Sequence, residues 1–330
     1  VGAELNLVTG ASGFIGGRLV RRLVELGESV RVLVRPDADL SGLDGLNFDL
    51  VEGDILTAES LDKAAAGCRR IYHAAALYRL WLRDPSLIYR TNVEGTRNVI
   101  EAGLKAGVER IVYTSSAATV GLVKGGSGNE DTPVTLHDMV GHYKRSKFLA
   151  EEVANAYAAQ GAPLVIVNPT YPVGEGDVKP TPTGQMIVDF IKGKMPAYLD
   201  TGLNVVDVDD VAEGHILAAE KGQNGRRYIL GNANMTLKEI LYLLADITGL
   251  PRPYCRLPFY PILGLAYLDS GISMLIPGRE PRVPPDGVKM ARQPMFFDAS
   301  RAVKELGLPQ TSPRVALEKA VNWFINHGYA

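Results

Sequence analysis

Cysteine is scarce in this chain, and its two copies, Cys68 and Cys255, stand far apart without a CxxC pair. That excludes a disulfide framework and a thiolate metal site, and it fits a reducing, cytoplasmic setting. The five histidines (His73, His137, His142, His215 and His327) show no HExxH or similar ligand spacing, so no metal is expected. Excess charge is missing too: 35 basic against 37 acidic side chains leave a formal net charge of -2, which gives no field for nucleic acid. There is also no clean run of about 20 apolar residues such as a membrane-spanning helix needs. The nearest approach, Leu257 to Pro277, is interrupted by Pro261, Asp269 and several Gly and Ser. It is expected to form a buried or cleft-lining helix of a substrate region, with an interfacial membrane contact as the alternative. The first residues enter an apolar strand pattern with no basic region ahead of a long apolar run, so no signal peptide is expected. These exclusions leave a soluble protein that acts on small molecules.

A chain of 330 residues is long enough for about two domains or one large α/β unit. Through the first half, short β-branched runs alternate with helical patterns, the signature of βαβ units and a parallel sheet. Strands are predicted at Leu5 to Val8, Val30 to Val34, Phe48 to Val51, Arg70 to Tyr72, Arg110 to Tyr113 and Leu164 to Val167. Helices are predicted at Phe14 to Leu26, Leu61 to Ala66, Leu87 to Ala106 and Tyr143 to Gln160. After Asn168 the stretch "NPTYPVGEGDVKPTPTG" changes character, yet a strand-helix pair at Val205 to Lys221 and a strand at Arg227 to Leu230 look like core elements again. The expected fold is a Rossmann-type, doubly wound α/β sheet with a smaller, mostly helical, discontinuous substrate-binding domain. Residues 1–168 with 204–231 are assigned to the nucleotide-binding part and residues 169–203 with 232–330 to the other.

The strongest local signal is "TGASGFIG", Thr9 to Gly16, between the first strand and the first helix. Gly10 permits a tight turn, Gly13 lets a pyrophosphate approach the backbone, and Gly16 allows close helix packing, while the helix N-terminus favours negative charge. Ser12, Phe14 and Ile15 belong to the same cradle. At the end of the second strand, where a carboxylate would bind the adenosine ribose, stand Val34 and Arg35. Arg35 suits a 2′-phosphate, so NADP is favoured over NAD, with NAD possible through Asp37 or Asp39. Asp54 and Ile55 after the third strand, Ala74 and Ala75 after the fourth, and Thr114 after the fifth fall at the sheet edge where such folds bind their ligand.

"HYKRSK", His142 to Lys147, places Tyr143 and Lys147 four apart and therefore on one helical face. By spacing alone the pair is either catalytic or a half-buried Tyr beside a solvated Lys. A free phenol has a pKa near 10 and is a poor base; an ammonium one turn away would stabilise the phenolate. Among the tyrosines only Tyr143 has a Lys four residues later.

Taken in order, "TGASGFIG", "TSSAA" at the fifth strand, "YKRSK" and "NPT" after the sixth resemble the extended short-chain dehydrogenase/reductases, the NAD-dependent epimerase/dehydratase superfamily. The resemblance covers nearly the whole chain. It implies that Ser116 holds the substrate oxygen, Tyr143 moves the proton, and Lys147 lowers the Tyr pKa and binds the nicotinamide ribose. It also implies that Asn92 in "NVEGT" and Pro169 position the nicotinamide half, and that the chain forms a homodimer through helices at Asn92 to Ala106 and Tyr143 to Gln160.

A narrower resemblance, in "DVKPTPTGQMIVDFIKGKMPAYLDTGLNVVDVDDVAEGH" and "GREPRVPPDGVKMARQPMFFD", is to the hopanoid-associated sugar epimerases, related to dihydroflavonol reductase-like enzymes. Gly174-Glu-Gly-Asp177 departs from the Gly-Pro-Arg-Asp usual there, which weakens transfer of a sugar-nucleotide substrate. Three activities follow as expectations. The first is an epimerase using Arg279, Arg282 and Arg292 as a diphosphate clamp. The second is a reductase or dehydrogenase of a lipophilic ketone or alcohol, like the dihydroflavonol reductases and 3β-hydroxysteroid dehydrogenases. The third is a non-catalytic cofactor sensor.

Overall fold

The computed structural model describes residues 4–329. In chain order, β1 (Leu5–Thr9), α1 (Phe14–Glu25), β2 (Ser29–Val34), β3 (Asp49–Glu52), α2 (Ala58–Ala65) and β4 (Arg70–His73) build one half of a layer. The other half is α3 (Ser86–Tyr89), α4 (Gly95–Ala106), β5 (Arg110–Thr114), α5 (Gly141–Ala159) and β6 (Leu164–Pro169). Then come β7 (Tyr171–Val173), α6 (Pro182–Ile191), β8 (Ala197–Tyr198), β9 (Gly202–Asp207), α7 (Val208–Lys221) and β10 (Arg227–Leu230). The chain closes with β11 (Ala233–Thr236), α8 (Leu237–Thr248), β12 (Cys255–Arg256), α9 (Phe259–Leu275), α10 (Pro285–Met290) and α11 (Pro313–Asn326).

Seven strands form one parallel sheet in the order β10-β6-β5-β4-β1-β2-β3. The order reverses between β1 and β4, so the crevice outside their carboxyl ends is open to a ligand. Both faces are covered, which explains why the strands read as near-continuous apolar runs. Successive side chains alternate: Val8, Val32, Val112 and Val167 pack with α1 and α7, whereas Leu7, Leu33, Ile111 and Ile166 pack with α2, α4 and α5. This is the doubly wound α/β fold expected.

Three elements depart from expectation. The helix predicted at Leu87 to Ala106 is not uniform: a π-helical stretch, Arg90–Glu94, separates α3 from α4 and carries Asn92 inward. The strand predicted near Val205 is β9, which pairs with β7 and β11 in a separate three-stranded sheet, although α7 and β10 return to the main layer. That small sheet packs with α6, α8 and α11 around Phe190, Leu241, Leu244, Leu317 and Phe324. The third is α9, expected to be buried or cleft-lining. Only its Ala266 and Ser273 are buried, and Tyr260, Leu265, Leu268 and Leu275 are exposed. Apolar residues run all round it, so one packing side cannot cover them. Among the described residues no helix is long and apolar enough to cross a membrane.

Candidate active site

The turn after β1 is shaped by contacts that only glycine tolerates. Gly10 adopts φ +76°, and a Cβ there would lie 2.5 Å from the Ala75 nitrogen. A Cβ on Gly16 would lie 2.1 Å from the Gly10 carbonyl oxygen. Gly13 donates its N–H to that oxygen (2.9 Å) and caps α1 without a side chain, and no acidic residue sits in the first turn. The N–H groups at the start of α1 are therefore left for a ligand, and the helix dipole favours an anion. Such a cradle fits the pyrophosphate of a dinucleotide.

The cradle opens into a cleft of about 430 Å³. Gly10, Gly13, Phe14, Ile15, Gly16, Ala74, Thr114, Ser116, Tyr143, Lys147 and Pro169 all line it, so predicted residues from five separate segments meet in one cavity. Ser12 and Arg35 are exposed, and Arg35 Nε stands 3.7 Å from Asp37 Oδ1. Asp54 accepts from the Leu56 N–H (2.9 Å), Ile55 is buried against Gly95, and the Ala75 N–H points at the Thr9 hydroxyl (3.4 Å). None of these five, nor Asn92, lines the cavity. Asn92 is 1% exposed and accepts from the Leu77 N–H (2.7 Å) while donating to the Leu77 carbonyl (3.1 Å) and the Ser146 hydroxyl (2.9 Å). Ser146 in turn donates to the Tyr143 carbonyl (2.8 Å), so Asn92 reaches the cleft through the helix rather than directly.

Lys147 is 2% exposed, donates to the Thr114 carbonyl (2.7 Å) and stands 4.7 Å from the centroid of the Tyr113 ring. Burial pushes its pKa down to about 7, with Glu151 opposing. Tyr143 packs on Tyr78, ring centroids 4.3 Å apart. Burial pushes the Tyr143 phenol up to about 12, and the Ser116 hydroxyl offsets part of this. Burial is thus the larger influence on the phenol in the protein alone. Desolvation weakens the ammonium itself, and its hydrogen bond goes to Thr114 instead.

Several groups escaped the sequence reading. Glu151, one turn beyond Lys147, is buried and accepts from Thr119 Oγ1 (2.8 Å), Asn168 Nδ2 (2.9 Å), Arg227 Nη1 (2.9 Å) and the Ser115 hydroxyl. Asn168 also holds the Ser116 carbonyl (3.0 Å), so this network fixes the backbone on which Ser116 sits. The i,i+4 spacing to Lys147 was its one available signal. Lys144 and Tyr78 also line the cleft. The clamp candidates do not: Arg279 is bound to Asp269 and Ser273, and neither Arg282 nor Arg292 is among the lining residues.

A doubly wound sheet with a glycine cradle and a Tyr-x-x-x-Lys helix at its carboxyl edge defines an extended short-chain dehydrogenase/reductase. The chain belongs to the NAD dependent epimerase/dehydratase family, which it matches over residues 6–231. It is 47% identical over 99% of its length, and 96% of the relative's, to a Synechocystis sp. protein named "Putative dihydroflavonol 4-reductase". It is 36% identical to sterol demethylase protein B of Methylococcus capsulatus, covering 98% of this chain and 99% of that one. The crystal structure of gox2253 is similar at TM-score 0.88 and 44% identity over 99% of both chains. Membership makes the chain an enzyme of oxidoreductase or epimerase chemistry that uses NAD(P).

Proposed function

We propose that the chain is an NADPH-dependent reductase of a lipophilic ketone, working through Ser116, Tyr143 and Lys147. The observation that carries this reading is the chemistry of the cleft beyond Tyr143. Leu80, Met186, Leu203, Leu237, Met290 and Phe297 wall it, and among the described residues no arginine, aspartate or glutamate lines it. Walls of this kind stabilise apolar ligands, at about 25 cal/mol per Å² of apolar surface removed from water. Relatives named for dihydroflavonol reduction and sterol demethylation support the same substrate class.

NADPH, when bound, supplies the hydride; Gly10 to Gly16 would hold its pyrophosphate and Arg35 its 2′-phosphate. The protein's own part is the proton. Tyr143, kept protonated at neutral pH by burial, gives its phenolic proton to the carbonyl oxygen as the alcohol forms, and the Ser116 hydroxyl orients that oxygen. Lys147 fixes the end of β5 against α5 and lends positive charge as the phenolate develops. Residues 1–168 with α7 and β10 would carry the cofactor and the remainder, β9 included, the substrate.

A hopanoid-associated sugar epimerase is less well supported, because a sugar diphosphate suits the bidentate fork of arginine and, among the described residues, none lines the cleft. Purified protein mixed with NADPH and a panel of lipophilic ketones should oxidise cofactor in step with alcohol formed. Loss of signal with every ketone, together with conversion of a sugar nucleotide without net NADPH loss, would replace this reading by the epimerase.

A further inference from the structure

Lys144 has no part in the chemistry above, yet it is 6% exposed and lines the cleft. It follows Tyr143 directly on α5. Adjacent helical residues point about 100° apart, so the two side chains enter the same cavity from different directions. Among the described residues, the one polar contact of Lys144 Nζ is the Met295 thioether at 3.8 Å, a weak acceptor. No carboxylate among the described residues compensates it, and lost hydration pushes its pKa down, to about 8.

Among the described residues lining the cleft, Lys144 and Lys147 are the sole cationic side chains, and no acidic one is present. Lys147 is committed to the Thr114 carbonyl (2.7 Å). Lys144 is the amino group left for a ligand. A buried ammonium without a partner is destabilising, and a ligand that brings an anion relieves that cost.

We propose that Lys144 recognises a carboxylate on the substrate, so that the lipophilic ketone is an oxo acid. Consecutive Cα atoms and the reach of a lysine put the acid group on the order of 4–8 Å from the reacting oxygen. The inference rests on the reductase reading of the same cleft. A monoanion is the matching charge: one ammonium in apolar surroundings balances a carboxylate, whereas a phosphate dianion would keep an uncompensated charge.

The test is calorimetric titration of decanoate and of decan-1-ol into the NADP-loaded protein, wild type and Lys144→Met, with Lys144→Arg as the conservative variant. Decanoate should bind wild type at least tenfold more tightly than Lys144→Met, decan-1-ol should bind both alike, and Lys144→Arg should recover part of the difference. Retained NADP affinity in Lys144→Met shows that the variant folds. Equal decanoate affinity in wild type and Lys144→Met overturns the proposal, whatever the turnover. Were Lys144→Met misfolded, the ratio of decanoate to decan-1-ol affinity in wild type alone decides: a ratio near one overturns it. Decanoate binding that depends on Lys144 without reduction of any ketone, oxo acids included, would keep the carboxylate site and unseat the reductase.

Discussion

Lys147 donates its ammonium to the carbonyl oxygen of Thr114 at 2.7 Å, joining the helix that carries Tyr143 to the strand end that carries Ser116. Removing that tie should disturb two of the residues proposed to act in the reaction at once. Lys147→Met is expected to lower kcat by about 10²–10⁴-fold, the range of a lost acid/base contribution. Lys147→Arg should not rescue it, since a planar guanidinium fork does not reproduce the compact ammonium that donates to the Thr114 carbonyl. Steady-state kinetics with the best ketone checks both. A Lys147→Met enzyme with wild-type kcat would remove Lys147 from the mechanism.

Burial of Lys144 makes a stability prediction with a definite sign. Its pKa is pushed from 10.5 down to about 8 in the folded protein, so between those values the unfolded chain binds more protons. Stability attributable to this group therefore rises with pH across that window, and its cost is fully present below it. In cofactor-free protein, Lys144→Met should be more stable than wild type at pH 7 by on the order of 1–3 kcal/mol. The gap should narrow as pH rises from about 8 to about 10.5. Urea unfolding of both proteins across that range measures it. A gap that is constant with pH would mean Lys144 is not desolvated in solution.

Gly16 meets the backbone where a side chain has no room. A Cβ would stand 2.1 Å from the Gly10 carbonyl oxygen, which is held by the turn itself. Gly16→Ala should weaken NADPH binding at least tenfold and lower Tm by several degrees, on the order of 1–3 kcal/mol of overpacking strain. Fluorescence titration and thermal melts read the two effects.

The expectation of NADP over NAD rests on Arg35, whose side chain is 68% exposed at the end of β2 with Asp37 as a distant neighbour (3.7 Å). Arg35→Ser should raise the Kd for NADPH by about 10–100-fold, the worth of a charge-assisted hydrogen bond, and leave that for NADH almost unchanged. Equal effects on both cofactors would show that Arg35 does not touch the 2′-phosphate.

The parts of the molecule governed by local periodicity were legible in the sequence. The sheet strands alternate Leu7/Val8 and Ile111/Val112 across two buried faces, and the glycine turn announces itself by spacing. Tyr143 and Lys147 were legible because one helix presents both. What needed tertiary structure was the partner of each group. Lys144 stands in plain view inside "YKRSK", but only the fold shows that its amino group is enclosed without a carboxylate. Asn92 was expected to position the nicotinamide half, and only the fold shows that the π-helical turn points its amide to Leu77 and Ser146. The apolar run of α9 was expected to be buried or to line the cleft, with an interfacial contact as the alternative, because composition cannot distinguish a helix that is covered from one that is not.

Tyr143→Phe tests most directly the proposal that the Tyr143 phenol delivers a proton to a ketone in an apolar cleft. The variant keeps the ring that packs on Tyr78 and loses only the hydroxyl. With the best lipophilic ketone, kcat should fall by about 10²–10⁴-fold while NADPH affinity stays within a factor of about two of wild type. Turnover of that ketone by Tyr143→Phe at the wild-type rate would contradict the account.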